Sequence, residues 1–191
     1  MPWATGIVFV GTSKGGKVID VCLTPYQSDW AHQFIDESAQ ICEAFGPGVL
    51  ALGHFGSTVV PGMMAKPVID MLAVVEMSHW SEDWIPRLTN CGYENAGELG
   101  IPGRRLFRKG GNQRSHHLQY VYPEGHGEIR RHLVLRDFLL SHPDEVRAYS
   151  AFKQELAARY ADTRDYSLAK KPYVQQLEQR ALAWAESQKR Y

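Results

Sequence analysis

Residues 67–75, Pro-Val-Ile-Asp-Met-Leu-Ala-Val-Val, are the most apolar stretch of the chain, and they constrain its fold more than any other feature. A continuous apolar run of strand length, with no polar alternation, reads as a central strand buried on both faces. A sheet built around it must be flanked by helices. The run has one polar interruption, Asp70. A carboxylate among Val68, Ile69, Met71 and Leu72 is unfavourable to bury unless it is paired or binds a cation.

The rest of the chain supplies a sheet and its covers. Residues 6–10 and 18–23 are β-rich and read as a hairpin. Pro25 and Asp29 announce a helix over 30–45, with Phe34, Ile35, Ala39, Ile41, Cys42 and Phe45 near helical spacing and Gly46-Pro47-Gly48 as its stop. A strand follows over 49–55, then a Gly- and Pro-marked connection over 56–66 with one helical turn at 60–64. Residues 81–89 read as a helix, Gly92 opens a looser stretch, and 100–103 is a turn region. Strands over 104–109 and 116–122 flank a hairpin turn at Gly110-Gly111-Asn112. From residue 128 the pattern becomes helical, over 130–140, 143–160 and 165 onward, with Ser141 and Asp144 spaced as a capping box. The expectation is one α+β domain over 1–191, sheet-rich over 1–125 and helical over 128–191. Its sheet is mixed or antiparallel and flanked by helices, with a C-terminal helical segment packed on it.

A chain of 191 residues, 44% hydrophobic and 22% charged, buries about 70% of its unfolded surface and needs no disulfide or structural metal. Cys22, Cys42 and Cys91 form no CxxC pair and read as reduced, mostly buried thiols. Twenty-one basic and 21 acidic side chains cancel, which argues against a strongly basic nucleic-acid binder. There is no apolar run near ~18 residues, and the first ten residues lack the basic start of a signal peptide. The expected location is cytoplasmic, with no membrane partner.

Gly11, Gly16 and Lys17 fit G-x-x-x-x-G-K. A phosphate-binding P-loop continues with Ser or Thr and opens a helix. Here Val18 follows, in a run of strand formers, so the segment reads as an exposed turn.

The chemistry concentrates over residues 54–70: His54-Phe-Gly56-Ser57-Thr58-Val-Val-Pro61-Gly62-Met-Met-Ala-Lys66-Pro67-Val-Ile-Asp70. Gly56 lets the backbone turn at a strand end. Ser57 and Thr58 then offer hydroxyls and amides to phosphate oxygens. Adjacent strands would bring Ser57 close to Asp70. The same residues also fit a plainer reading, in which both glycines only turn the chain and Asp70 caps a backbone group. Lys66 suits a phosphate as a point charge, or is a surface lysine before Pro67. His54 suits a general base, or a buried histidine bonded to backbone. His117 and Gln119 share one strand face, opposite Leu118, Tyr120 and Tyr122. Arg104, Arg105, Arg108, Lys109 and Arg114 make a basic cluster suited to phosphate or carboxylate groups, and alternation along a strand would turn at least one of Arg105, Arg108 and Lys109 into the cleft. Arg136 and Asp137 read as structural. Lys153, Lys170 and Lys171 read as exposed helix residues.

The segment from His54 to Asp70 resembles the signature of the GrpB-like family. Pro25-Tyr26 with Trp30, Gly92-Tyr93, Arg105-Leu-Phe107-Arg-Lys109, His117-Leu118, Arg131-His-Leu-Val-Leu-Arg136-Asp137, Tyr149, Lys153 and Lys170 extend the resemblance over roughly residues 20–180. That family is similar in fold to nucleotidyltransferases. The resemblance implies that Gly56, Ser57 and Thr58, with Lys66, hold a nucleoside triphosphate such as ATP. It makes Asp70 the first carboxylate of an Asp-x-Asp pair for Mg²⁺. Two positions depart from the pattern: Leu72 stands where the second carboxylate would be, and Gln119 where a second late histidine would be. The candidate catalytic residues are Asp70, His54 and His117, with Arg105, Arg108, Lys109 and Gln119 toward the acceptor. The implied activity is Mg²⁺- and NTP-dependent nucleotidyl transfer or adenylation of a small-molecule acceptor. An amide-forming ligase using the same phosphate site is the near alternative. A non-catalytic nucleotide-binding module, which Leu72 favours, or a partner-docking protein are the others.

Overall fold

A computed structural model describes residues 21–79, 83–98, 102–111, 114–123 and 125–189. The expected first hairpin and the P-loop-like turn lie outside the described residues, except 21–23, which are not in a strand. Thr24 then forms an isolated bridge to Ala65, with reciprocal backbone bonds of 2.8 and 2.9 Å.

Helix α1, Asp29–Phe45, buries Trp30, Glu37, Ile41, Ala44 and Phe45, a stripe at alternating four- and three-residue steps. Ile35, Ala39 and Cys42, expected on that stripe, are exposed. Gly46 ends the helix at φ 73°, with its N–H donating to the Cys42 carbonyl. Strand β1, Val49–Phe55, runs antiparallel to β2, Ile69–Val75. The one helical turn between them is Ser57–Val59 rather than 60–64. A short α2, Ile85–Asn90, replaces the longer helix expected over 81–89. Strands β3, Tyr93–Gly97, β4, Arg105–Lys109, and β5, His116–Pro123, complete a five-stranded sheet of order β1-β2-β5-β4-β3 among the described residues. The β2–β5 pair is parallel and the others antiparallel, so the sheet is mixed; β5 is its central strand, and β2, expected there, is an interior strand between β1 and β5.

Successive β2 residues feed opposite faces. Ile69, Met71, Ala73 and Val75 pack with Phe107, Leu118 and Tyr93 under α1 and α2. Leu72 packs with Phe55 and Tyr122 under Ile129 and Leu133 of α3, Gly127–Ser141. Leu118 and Tyr122 therefore lie on opposite faces, against the simple alternation expected for β5. The pairing of β5 with β2 steps from Leu118 to Tyr120, passing over Gln119, and this bulge shifts the phase.

The remaining face of α3 presents Val134 and Phe138 to α4, Pro143–Arg159, and α5, Thr163–Ser187. Val60 and Met63, from the loop after β1, enter the same core. The helical segment is thus docked on the loop that carries the Ser57 turn. Ser141 does not cap α4; it ends α3, and its hydroxyl donates to the Asp137 carbonyl at 2.8 Å. The three cysteines are free, as expected, but none is buried: Cys22 and Cys42 are exposed and Cys91 half-buried. No helix among the described residues is long and apolar enough to cross a membrane.

Candidate anion-binding cleft

β1 delivers the chain to Gly56, whose φ of 77° and ψ of −159° suit glycine alone. A Cβ built there would lie 2.6 Å from Asp70 Oδ2 and 3.1 Å from Asp70 Cβ. The absent side chain is what lets the turn sit against the carboxylate. Phe55 pairs with Asp70, and Asp70 pairs with His117 across the parallel β2–β5 step. Asp70 Oδ1 stands 3.2 Å from His117 Nδ1.

Ser57, Thr58, Lys66, Asp70, Arg108 and His117 meet at one hollow of about 930 Å³. The far wall comes from Lys153 on α4 and from Asp162, Arg164, Tyr166 and Lys170 at the start of α5. With Arg114, six basic side chains face two carboxylates. One of those, Asp162, accepts the Arg164 and Asp165 amides as the cap of α5. The excess charge is positive, so the hollow suits an anion. A second hollow of about 550 Å³, under α3, α4 and α5, shares Ser57, Asp70, Ser167 and Lys170 with the first.

Lys153 is the main residue whose place the sequence reading missed. It is 2% exposed, its Nζ donates to Ser57 Oγ at 3.0 Å and to the Met64 carbonyl, and it lies 4.5 Å from the centroid of the Tyr149 ring. Burial, then the charge of Lys170, lowers its pKa to about 7, with Asp70 opposing. Because Ser57 Oγ accepts from Lys153, its own hydrogen is available to an acceptor in the hollow. Lys66 is lowered to about 8, again by burial first and Lys170 next. Lys170 is lowered by burial, with Asp70 opposing.

The other expected site residues divide. His54 lies on the α1 side of the sheet, stacked on Phe34 at 5.0 Å, and does not line either hollow described. Burial lowers its pKa to about 4, so it is neutral at pH 7. Thr58 Oγ1 donates to the Val68 carbonyl at 3.4 Å, and His54 Nε2, 2.9 Å away, donates to Thr58. His54 thus positions Thr58 and reaches the cleft only through it. Lys109 turns to the α1 face, where its Nζ bonds both Glu37 oxygens at 2.8 and 2.9 Å. Arg105 contacts Glu98 at 3.4 Å. Neither lines the hollow, whereas Arg108 does. Gln119 sits at the β5 bulge. Arg136 pairs with Asp137 at 2.7 Å and lines the second hollow.

Alanine substitutions should separate accordingly. Arg108→Ala should weaken anion binding, and Arg105→Ala should leave it unchanged. Lys109→Ala should act on stability, by roughly 1–3 kcal/mol, because it strands the buried Glu37 carboxylate. Nucleotide titration alongside urea unfolding of each variant checks the division; equal effects of Arg105 and Arg108 on binding would contradict it.

The donor set does not fit a Mg²⁺ ion held by the protein itself. Asp70 Oδ1 faces His117, and Lys66, Lys153 and Lys170 line the same hollow. Leu72, 2% exposed, belongs to the apolar cluster with Phe55 and Tyr122. No group of three or more His, Cys, Asp or Glu side chains suited to a metal occurs among the described residues.

Fold and cleft together define the class: an α+β protein whose sheet and C-terminal helices enclose a cationic hollow around Asp70. The sequence pattern of the family described as GrpB protein matches residues 20–180, and the chain belongs to that family. It is 39% identical over 160 residues to the UPF0157 protein YqkA of Bacillus subtilis, covering 83% of this chain and 46% of that one. It is 35% identical over 164 residues to the UPF0157 protein PA4798 of Pseudomonas aeruginosa, covering 83% and 66%. The chain therefore spans about half to two thirds of the length of these relatives. The crystal structure of the conserved protein GrpB from Enterococcus faecalis superposes with a TM-score of 0.79 at 34% identity, covering 85% of this chain and 98% of that one.

Proposed function

We propose that the cleft binds a nucleoside triphosphate and that the protein transfers a nucleotidyl group to, or adenylates, a small-molecule acceptor. The observation that carries this reading is the convergence of the Ser57–Thr58 turn with Lys66, Arg108, Lys153 and Lys170 around Asp70 in one hollow. Phosphates would lie against the turn, with the Ser57 hydroxyl donating and the lysines neutralising charge. Preorganised positive charge of this kind stabilises a phosphoryl transition state without reorganisation during reaction. Any Mg²⁺ would arrive with the nucleotide's own phosphates. His117, 3.2 Å from Asp70, is the residue proposed to take the proton the acceptor loses on attack. The acceptor would approach from the second hollow, which meets the first at Ser57 and Asp70. A carboxylate acceptor would give an adenylate, and its capture by an amine would give an amide.

One observation favours a second reading, a non-catalytic nucleotide-binding module. Leu72 is fixed in the apolar core at the position where the resemblance asks for a second metal carboxylate. Incubation with ATP or other NTPs and a panel of acceptors, following pyrophosphate and phosphate release, separates the two. Acceptor-dependent pyrophosphate release is the expected result; binding without turnover leaves the module. In the same assays Ser57→Ala should weaken triphosphate binding by roughly 5- to 10-fold, the loss of one hydroxyl bond while backbone amides remain. An unchanged affinity would remove Ser57 from the phosphate site.

A further inference from the structure

We propose that Lys66, Lys153, Lys170 and the Tyr166 hydroxyl form a cradle for a doubly charged phosphate group, and that the cradle takes up protons as the phosphate enters. The inference deepens the nucleotide reading and rests on it for the identity of the molecule that carries the phosphate.

The cradle is assembled from three parts of the chain: the loop before β2, the middle of α4 and the first turns of α5. Tyr166 is 1% exposed and lines the hollow, yet its buried hydroxyl has no hydrogen-bond partner among the described residues. Burial raises its pKa, so it keeps its proton and can only gain by donating to an acceptor. Lys66 and Lys170 flank its ring, their Nζ atoms 5.9 and 5.6 Å from the centroid. Lys153 stands at the Ser57 end of the same hollow. A tetrahedral dianion offers acceptors in several directions at once, which is what converging ammonium groups and a phenol require.

The proton uptake follows from charge. Lys66, Lys153 and Lys170 line one hollow with Asp70, and the charge of Lys170 acts on both other lysines. Arg114 adds positive charge near Lys66, and the other carboxylate of the hollow, Asp162, is engaged in the α5 cap. Arg108, Arg164, His117 and the Cys22 thiol complete the ionisable lining. Lys153 is lowered to about 7 and Lys66 to about 8, so at pH 8 both are partly deprotonated in the free cleft; burial lowers Lys170 as well. A phosphate dianion favours the ammonium forms, so the bound state holds more protons than the free one. Affinity must then fall as pH rises from 7 toward 9.

Calorimetric titration of the full chain with ATP at pH 8, in two buffers of different ionisation enthalpy, measures the exchange directly. The expected result is uptake of about one proton per ATP, with adenosine producing none. Tyr166→Phe and Lys170→Met should each weaken ATP roughly 10-fold or more, in proteins whose thermal unfolding remains cooperative. ATP bound without proton uptake, and with the same affinity in Tyr166→Phe, would overturn the cradle and leave the nucleotide reading standing. Failure of millimolar ATP to bind wild type, with or without Mg²⁺, would overturn both.

Discussion

An Asp70→Asn protein is expected to fold and to lose turnover by a factor of ~10²–10³, comparable to removing one strong electrostatic contact with a transition state. Asparagine preserves the size of the side chain and its contact with His117 while removing the charge. From the apolar strand alone, loss of a buried carboxylate would be expected to stabilise the protein. The surroundings reverse that sign. Asp70 favours the charged forms of Lys66, Lys153 and Lys170, and without it that stabilisation is lost. The melting temperature should therefore fall modestly, and recover when ATP is added, since phosphate replaces the missing negative charge. Undiminished turnover on the true substrate would count directly against catalysis at Asp70.

Gly56→Ala is expected to have the largest effect on the fold of the site. The backbone at φ 77° and ψ −159° is a region closed to residues with a side chain, and the new methyl would meet the Asp70 carboxylate at 2.6 Å. Neither can be relieved alone: moving the carboxylate breaks its approach to His117, and moving the turn displaces Ser57. Backbone strain and overpacking together should destabilise the protein by roughly 2–4 kcal/mol, with loss of nucleotide binding in whatever fraction remains folded. Urea unfolding measures the first and titration the second. Gly62→Ala is the comparison. Gly62 also has a positive φ, of 78°, but a Cβ there would meet nothing within 4 Å, so it should carry the backbone strain without the collision and keep its ligand. Equal loss of binding in both variants would refute the close-approach explanation.

The central part of the fold was legible because its signals were local. The apolar run over 67–75 announced β2, Gly46-Pro47-Gly48 stopped α1, and the change of period after residue 128 marked the three helices. Strand β3 was not legible. Tyr-Glu-Asn-Ala-Gly has one good strand former, and the strand exists because Tyr93 is buried and β4 offers an edge. The face assignment of β5 failed at a bulge, which depends on pairing with β2 and leaves no mark in the sequence of β5 itself.

In the site, the Gly56–Asp70 approach was readable from the turn and the strands around it, and its partner His117 from the resemblance. The lysines of the far wall were read as solvent-facing, yet the clue was present. Lys153 occupies the buried stripe of α4 with Val146, Tyr149, Ser150 and Leu156. Lys170 falls one turn after the buried Tyr166 on the face that continues to Leu177 and Ala181. A lysine on an apolar stripe must either pair or line a cavity. Glu37 is the same signal on α1, and its partner proved to be Lys109. What the sequence could not supply was which carboxylate or hollow each would meet, because those partners lie 72 to 96 residues away.

A crystal structure of the protein with a non-hydrolysable ATP analogue decides whether the cleft is a nucleotide site. The expected result places the phosphates in the cleft, with an oxygen within hydrogen-bonding distance of Ser57 Oγ and others facing Lys66 and Lys170 beside Asp70. An analogue bound elsewhere on the surface, with the cleft lined as before, would contradict it.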